Sequence, residues 1–313
     1  MDRPTGDLTT LTLPADAYGI ASAIDLLQAG EVVALPTETV YGLAARADSA
    51  AAVAKVYAAK GRPSFNPLIV HVADLRQANT LVRIDSRAQR LIEQHWPGPL
   101  TLVLPLKPGA KIAGLVRAGL PTLAVRCPAH PVMQAVIAGV GPLAAPSANA
   151  SGRLSPTRAE HVEATLGGRI PLILDDGPSE TGLESTIVSV TAHGVMLLRP
   201  GAIPAAALGV VAANDSNAIT APGQLPSHYA PFQPLRLDAR TASRHEYHLG
   251  FGPVRGDLSL SASGNVDEAA ARLFDLLHEA QASGRSGIAV APIPERGLGV
   301  AINDRLRRAA ADR

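Results

Sequence analysis

Two spacings of apolar residues alternate along the first two thirds of the chain. Apolar residues three or four positions apart predict helices, and short apolar runs predict buried strands. The predicted helices are 16–29, 51–59 and 86–95. The predicted strands are 31–36, 67–72, 100–105, 122–126, 142–146, 171–175, 185–190 and 195–199. Asp48 is expected to cap the second helix, and a turn at His193 and Gly194 is expected to join the last two strands as a hairpin.

The order of these elements predicts an α/β fold. Strands and helices alternate irregularly, and many of the connecting loops contain Gly or Pro. This irregularity favours an open, twisted, mixed sheet flanked by helices over a regular doubly wound sheet.

The pattern fades after residue 204 and then returns. Residues 205–233 are dominated by small residues and prolines, as in a linker. Beyond them we predict a smaller α/β unit with strands at 247–251 and 287–291 and helices at 266–282 and 299–310. The expected organisation is therefore an N-terminal tail (1–15), a large domain (16–204), a linker (205–233) and a small C-terminal domain (234–313).

Composition narrows the class of protein. Of the 313 residues, 47% are hydrophobic and 18% charged, and no apolar run is long enough to cross a membrane. The N-terminus lacks the pattern of a secretory signal, and Cys127, the single cysteine, excludes an internal disulfide. We therefore expect a cytoplasmic protein without a membrane partner.

Positive charge is concentrated in one segment. Residues 46–126 hold twelve Lys and Arg against four acidic residues, a net charge of +8, whereas the whole chain carries +1. Such an excess suits a nucleotide or a nucleic-acid backbone. The alternative is a compositional bias toward arginine, since the chain has 24 Arg and 4 Lys.

Polar side chains follow several of the predicted strands. They lie in the loops PTETVYGLAAR (36–46), KGRPSFNP (60–67) and APSANASGRLSPT (145–157), at the strand end Arg126, and in the pair GLESTIV and LLRPG. Ligands of α/β sheets bind at strand ends, where arginine binds carboxylate or phosphate and hydroxyls add neutral donors. Taken singly, each loop could be a simple turn and each cation a solvated residue.

Familiar catalytic motifs are missing from the sequence. It has no G-x-x-x-x-G-K-[ST], G-x-G-x-x-G or H-E-x-x-H. His245 and His248 have no third ligand and are interpreted as surface residues. Standard NTPase, dehydrogenase and zinc-hydrolase mechanisms are therefore not favoured.

In this order the loops resemble those of the YrdC-type threonylcarbamoyl-AMP synthase family, in its long form with a second domain. The matching stretches are LPTETVYGLAARA, KGRPSFNPLIVHV, WPGPLTLVL, LAVRCPAHPV, APSANASGRLSPT, ESTIV with LLRPG, SHYAP, and the tail GLGVAINDRLRRAA. The resemblance implies an enzyme that condenses L-threonine, bicarbonate or CO2, and ATP into threonylcarbamoyl-AMP and pyrophosphate. It also implies that a tRNA threonylcarbamoyl transferase receives the product and modifies adenosine 37 of ANN-decoding tRNAs.

The resemblance also implies roles for individual residues. The residues expected around threonine are Thr39, His71, Arg126, Ala145 and Ser185. Those expected around ATP are Arg62, Asn66, Thr122, Ser147, Asn149, Ser155, Arg199 and Tyr229. Lys60 and Arg62 are expected to act in catalysis by offsetting charge on the departing pyrophosphate, and Tyr229 is expected to close the linker over the nucleotide as a lid.

Three further expectations remain. Mg2+ is expected on the phosphates rather than in a protein cage, with Asp175 and Asp176 as outer-sphere partners or simply as solvated residues. A double-stranded RNA-binding or RNA-maturation module of the same fold is the main alternative, supported by the basic segment, and a weak RNA contact is compatible with the enzyme as well. A carbamoyl-transfer protein of the hydrogenase-maturation type is disfavoured by the single cysteine.

Overall fold

The structure is a computed structural model that describes residues 8–213, 221–223 and 227–311. Part of the predicted tail (1–7) and parts of the predicted linker (214–220 and 224–226) lie outside the described residues. None of the described helices is long and apolar enough to span a membrane.

A large mixed sheet forms the first unit. Its strands are β1 (Leu11–Pro14), β2 (Val33–Leu35), β3 (Gly42–Arg46), β4 (Ile69–His71), β5 (Leu100–Pro105), β6 (Thr122–Arg126), β7 (Leu143–Ala144), β8 (Leu172–Asp175), β9 (Thr186–Thr191), β10 (Gly194–Arg199) and β11 (Val210–Ala213). Within the described residues their spatial order is β1-β8-β2-β3-β7-β4-β6-β5-β9-β10-β11. Parallel pairs such as β4 and β6 adjoin antiparallel pairs such as β5 and β6, so the predicted mixed sheet is confirmed.

Helices cover both faces of this sheet. They are α1 (Ala17–Gln28), α2 (Ala50–Lys60), α3 (Leu75–Leu81), α4 (Ser86–His95), α5 (Pro131–Val140) and α6 (Ala159–Leu166). Neighbouring residues of β2 belong to different apolar clusters: Ala34 to the cluster that includes Leu102 and Val125, and Leu35 to the one that includes Leu27 and Met133. Side chains alternate along a strand, so these clusters lie on opposite faces of the sheet.

Some local predictions are wrong. Asp48 does not cap α2, because the Ser49 side chain accepts the Ala52 N–H there and Asp48 instead pairs with Arg46 at 2.9 Å. Residues 42–46 form a strand rather than the end of a loop. The tail and linker segments contribute β1 and β11, which pair with β8 and β10. The hairpin of β9 and β10 is confirmed by its antiparallel register.

A second, smaller sheet follows. It consists of β12 (Leu235–Arg236), β13 (Glu246–Gly250), β14 (Leu258–Ser259) and β15 (Gly287–Val290), which are all parallel in the order β12-β15-β13-β14. Two helices, α7 (Val266–Ala282) and α8 (Gly299–Ala310), share an apolar core with it and have the bounds that their amphipathic pattern predicts. We refer to residues 235–311 as the C-terminal unit.

Candidate active site

A pocket of about 560 Å³, including space open to solvent, lies over one face of β4 and β6. Ile69 and His71 are two residues apart on β4 and both contribute to its wall. The lining residues are Thr37, Thr39, Val40, Gly42, Arg62, Ile69, His71, Arg126, Ala145, Pro146, Ser147, Glu184, Ser185, Arg199, Pro222, Gly223, His228 and Tyr229.

Sheet topology brings polar strand ends to this pocket. The parallel register of β4 and β6 pairs His71 with Arg126 at the carboxyl ends. β5 runs antiparallel to β6 and parallel to β9, so β9 begins at the edge where β6 ends. Ser185, directly before β9, therefore lies at the same edge. β10 returns antiparallel to β9 and ends there at Arg199.

The Arg126 guanidinium is held in place at one end of the pocket. It donates to Thr39 Oγ1 at 2.9 Å and to the Gly98 carbonyl at 3.2 Å, and its Nη2 lies 2.6 Å from Glu38 Oε1. Burial raises the pKa of Glu38, but the charge of Arg126, together with hydrogen bonds from Arg126 and the backbone, more than offsets burial and holds that pKa below its usual range. The ion pair orients a cation that can bind a carboxylate.

His71 lies beside Arg126 as a neutral imidazole. Burial, together with the charge of Arg126, lowers its pKa well below the usual value. The ring is 3% exposed, and neither nitrogen has a hydrogen-bond partner among the described residues. Since buried polar atoms are nearly always paired in proteins, these two nitrogens favour a polar ligand at this place.

Arg62 supplies a second cation to the wall. It donates to the backbone carbonyls of Asn66 at 3.2 Å and Pro67 at 2.8 Å. Burial lowers the pKa of Arg62 to about 10, so the side chain remains charged at neutral pH. Asn66 is buried outside the lining, and its side-chain amide has no partner among the described residues.

Lys60 does not line the pocket. Its side chain is 2% exposed, and its ammonium donates to the carbonyls of Ser147 and Asn149. Burial, with a smaller contribution from Arg62, lowers its pKa well below the usual value. These contacts join the end of α2 to the 147–149 loop, whose Ser147 contributes to the wall.

Arg199 and Ser185 are joined directly. The guanidinium of Arg199 donates to the Ser185 carbonyl at 2.8 Å, and the Ser185 hydroxyl lies 2.8 Å from the Thr101 hydroxyl. Both residues are buried. The start of β9 and the end of β10 thus form one rigid part of the wall.

An arginine of the C-terminal unit pairs with a carboxylate of the pocket wall. Glu184 accepts a hydrogen bond from Arg305 Nε at 2.7 Å and another from the Ser155 hydroxyl. Burial raises the pKa of Glu184, but Arg305 and Arg199 outweigh burial and hold it below the usual range. Glu184 is therefore ionised and compensated, while Ser155 lies behind the wall rather than in it.

Part of the predicted linker lines the pocket. Tyr229 is 1% exposed, has a left-handed backbone (φ 61°) and lines the pocket together with His228. The Ala230 N–H donates to Gly152 at 2.9 Å. A side chain at Gly223 (φ 80°) would place Cβ 2.7 Å from the Tyr229 hydroxyl, so this position requires glycine.

The predicted set divides into two groups. The residues that line the pocket are Thr39, Arg62, His71, Arg126, Ala145, Ser147, Ser185, Arg199 and Tyr229. Those outside the lining are Lys60, Asn66, Thr122, Asn149 and Ser155. Thr122 lies at the start of β6, at the opposite end from Arg126.

Sequence reasoning missed several polar residues of the site. Glu38, Glu184 and His228 lie within the motifs PTETVYG, GLESTIV and SHYAP, so their neighbours were a usable signal. Asp175 lies outside the lining, where it accepts from the Tyr41 hydroxyl at 3.3 Å. Within the described ranges, no group of three or more His, Cys, Asp or Glu is arranged to hold a metal ion.

Two family models match the chain. The model of the Sua5, YciO and YrdC proteins, described as telomere recombination, matches residues 25–201. The model described as threonylcarbamoyl-AMP synthase, C-terminal domain, matches residues 190–311.

Individual relatives match over nearly the full length. The chain is 41% identical to the threonylcarbamoyl-AMP synthase of Bacillus subtilis strain 168, covering 94% of the chain and 93% of that protein. It is 35% identical to the threonylcarbamoyl-AMP synthase of Pyrococcus abyssi, with coverage of 95% and 96%. The crystal structure of P. abyssi Sua5 complexed with L-threonine superposes with a TM-score of 0.87 at 34% identity, over 96% of this chain and 97% of that one.

Proposed function

The chain belongs to the threonylcarbamoyl-AMP synthase family, and from this premise we propose how its pocket carries out that activity. The reaction condenses L-threonine, bicarbonate and ATP. The observation that carries the proposal is that one pocket wall contains Arg126 and His71, paired at the ends of β6 and β4, together with Arg62, Arg199 and Tyr229. We assign the first pair to threonine and the two further arginines to the nucleotide.

Threonine binds at the Arg126 end. Its carboxylate pairs with the guanidinium, which Glu38 and Thr39 already orient. The unpaired nitrogens of His71 offer one donor and one acceptor, because the ring is neutral. Ser185 and the backbone near Ala145 complete this end. The threonine amine is then free to react.

The chemistry needs no protein nucleophile. The amine attacks the carbon of bicarbonate, and loss of water gives the carbamate. A carbamate oxygen then attacks the α-phosphorus of ATP, and the bond between that phosphorus and the bridging oxygen to the β-phosphate breaks. Pyrophosphate leaves with that bonding pair. Positioning and charge stabilisation by fixed cations can carry both steps.

The nucleotide lies under the lid, against Arg62, Arg199 and Ser147. Asn66 and Asn149 have side-chain atoms without partners among the described residues, which suits a supporting role near this end. Lys60 acts by holding the loop of Ser147. Thr122 and Ser155 are assigned to the nucleotide by the family resemblance.

Mg2+ is expected with ATP, but the described pocket residues offer it no free carboxylate. Glu38 is paired with Arg126, and Glu184 with Arg305. The ion is therefore assigned to phosphate and water oxygens, and no chemical step is assigned to a protein-held ion. We further propose that a tRNA threonylcarbamoyl transferase takes the product in the cytoplasm.

The decisive experiment measures pyrophosphate release from ATP by the purified chain, with and without L-threonine and with bicarbonate removed. Release that requires both co-substrates supports the proposal. Release indifferent to threonine would contradict the substrate assignment. Salt-sensitive binding of double-stranded RNA without any turnover would favour the RNA-binding alternative instead.

The lid is tested separately by Tyr229→Phe and by deletion of residues 222–231. Both changes should weaken ATP use, because they remove the hydroxyl and the cover of the nucleotide end. Unchanged ATP affinity and rate in both variants would contradict a lid.

A further inference from the structure

Side chains from the pocket wall and its neighbouring loops pack into the apolar core of the C-terminal unit. Its apolar core encloses four side chains that belong to the pocket wall, the linker or the loops beside them: Val40, Leu154, Leu183 and Tyr229. Val40 and Tyr229 line the pocket directly. Leu154 precedes Ser155, and Leu183 precedes Glu184. The positions of these polar neighbours therefore depend on packing in the C-terminal unit.

The loop that carries Glu184 is seated on this unit by three successive residues. Gly182 approaches α7 so closely that a Cβ there would lie 2.3 Å from the Ala271 carbonyl oxygen. Leu183 is fully buried in the C-terminal core. Glu184 then meets Arg305 of α8 at 2.7 Å.

Arg305 is placed to act on two elements of the site at once. Its side chain is 1% exposed, and its guanidinium lies 5.0 Å from the centre of the Tyr229 ring. Its Nη1 lies 2.6 Å from the Asp304 carboxylate, and this ion pair holds the guanidinium in position. A cation over an aromatic face stabilises that ring's position, and the same cation neutralises the carboxylate of Glu184.

We propose that Arg305 is a positioning residue, through which the C-terminal unit sets both the Glu184 wall and the Tyr229 lid for the nucleotide. It does not line the pocket, and it acts through these two neighbours. Without Arg305, Glu184 would present a less compensated negative charge to the phosphates. Without the guanidinium, Tyr229 would lose one of the contacts that hold its ring. The inference deepens the proposed function and rests on its nucleotide assignment.

α8 also holds the linker through its backbone. The His228 N–H donates to the Arg308 carbonyl at 3.1 Å, one turn beyond Arg305. The His228 and Tyr229 rings are in edge contact, with centroids 4.1 Å apart. The same helix therefore contacts the lid by a side chain and by its main chain, which ties lid position to the docking of the C-terminal unit.

Arg307 offers a matched control on the same helix. Its guanidinium pairs with Glu295 at 2.6 Å, but its side chain is 57% exposed and lies outside the pocket wall. The test compares Arg305→Gln, Glu184→Gln with Arg305→Gln, and Arg307→Gln. For each variant we would measure ATP and L-threonine dissociation constants by calorimetry, the KM and kcat for pyrophosphate release, and the melting temperature.

We expect Arg305→Gln to weaken ATP binding at least about tenfold, the usual effect of losing one charge-assisted hydrogen bond. Threonine affinity should stay within about twofold, because Arg126 and Glu38 are untouched. The double variant pairs two neutral amides and removes the negative charge that Arg305→Gln alone leaves less compensated, so its ATP affinity should lie between those of Arg305→Gln and the unaltered chain. Arg307→Gln should match the unaltered chain.

Several results would overturn the inference. One is an Arg305→Gln variant that binds ATP as Arg307→Gln does. Another is equal weakening of ATP and threonine binding together with a lower melting temperature, which would indicate a general structural role. If Arg305→Gln does not fold, the double variant decides, and full ATP affinity there is the contradicting result. Calorimetry keeps the two proposals separate, since ATP binding can be measured even if threonine-dependent turnover is absent.

Discussion

Lowering the pH from 8 to 5 should weaken the contact between α6 and α7, where two neutral histidines are stacked. The rings of His161 and His278 lie 3.8 Å apart and 9° from parallel. Burial lowers the pKa of His161 to about 4 and that of His278 to about 3. The charged groups facing them are Asp275 and Arg158, which pair with each other at 2.6 Å. His278 Nε2 lies 3.1 Å from the Ser155 carbonyl, which links the stack to the loop behind the pocket.

The sign follows from the two protonation states. An unfolded histidine has a pKa of about 6.5, so below that pH the unfolded chain takes up protons that the stacked pair does not. The stabilisation is therefore complete above about pH 6.5 and is lost as the pH falls toward the folded values. At about 1.36 kcal/mol per pH unit, each histidine loses roughly 2 kcal/mol of stability at pH 5, and the pair loses roughly 4 kcal/mol.

Urea unfolding at pH 8 and pH 5 measures this loss. The comparison is between the unaltered chain and the double variant His161→Phe with His278→Phe, whose rings can stack but cannot take up a proton. His245→Phe is the matched control, because His245 is exposed. The double variant should lose roughly 4 kcal/mol less between the two pH values than the unaltered chain. Equal losses in the two proteins would refute the reasoning.

Three further predictions concern the pocket. Arg62→Ala should raise the KM for ATP at least about tenfold with little change in melting temperature. A higher KM together with a clearly lower melting temperature would indicate a structural role. His71→Ala should raise the threonine dissociation constant about tenfold and leave ATP binding nearly unchanged, since two buried polar contacts are lost; calorimetry with each substrate checks this, and an equal effect on both would contradict it. Gly223→Ala should weaken ATP binding because the added methyl group would push on Tyr229. Gly209→Ala is the control and should leave ATP binding unchanged, because Gly209 also has a positive φ but has open space around its Cβ position. ATP calorimetry on both variants distinguishes an effect of the contact from one of backbone strain.

The sequence predicts elements well where one face of a helix or a run of apolar residues decides the structure. The helices at 266–282 and 299–310 have the predicted bounds because their polar and apolar faces differ clearly. By contrast α5 (131–140) is almost uniformly apolar, so it shows no helical spacing. The edge strands β1 and β11 form by pairing with β8 and β10, respectively. Local composition does not reveal these pairings, whether the partner strand is distant in sequence, as β8 is, or near, as β10 is.

The site shows the same division between local and distant information. The motifs place Arg62, His71 and Arg126 in one pocket, because each stands at a strand end or in a loop that the sheet brings together. They do not reveal that the Lys60 ammonium contacts backbone carbonyls, since the direction of a side chain depends on packing. Nor do they reveal Arg305, which reaches Glu184 from 121 residues away along the chain.

The hairpin of β9 and β10 has a consequence for how the two substrates depend on each other. Ser185 at its start is assigned to threonine, Arg199 at its end to ATP, and the two are joined by the hydrogen bond of 2.8 Å. A ligand that shifts one end of this rigid element shifts the other. Any coupling between the two sites is reciprocal, so the factor by which threonine changes the affinity for ATP equals the factor by which ATP changes the affinity for threonine. A favourable coupling through this hairpin would mean that little nucleotide is bound when the amino acid is scarce, so that output would follow the supply of both substrates together.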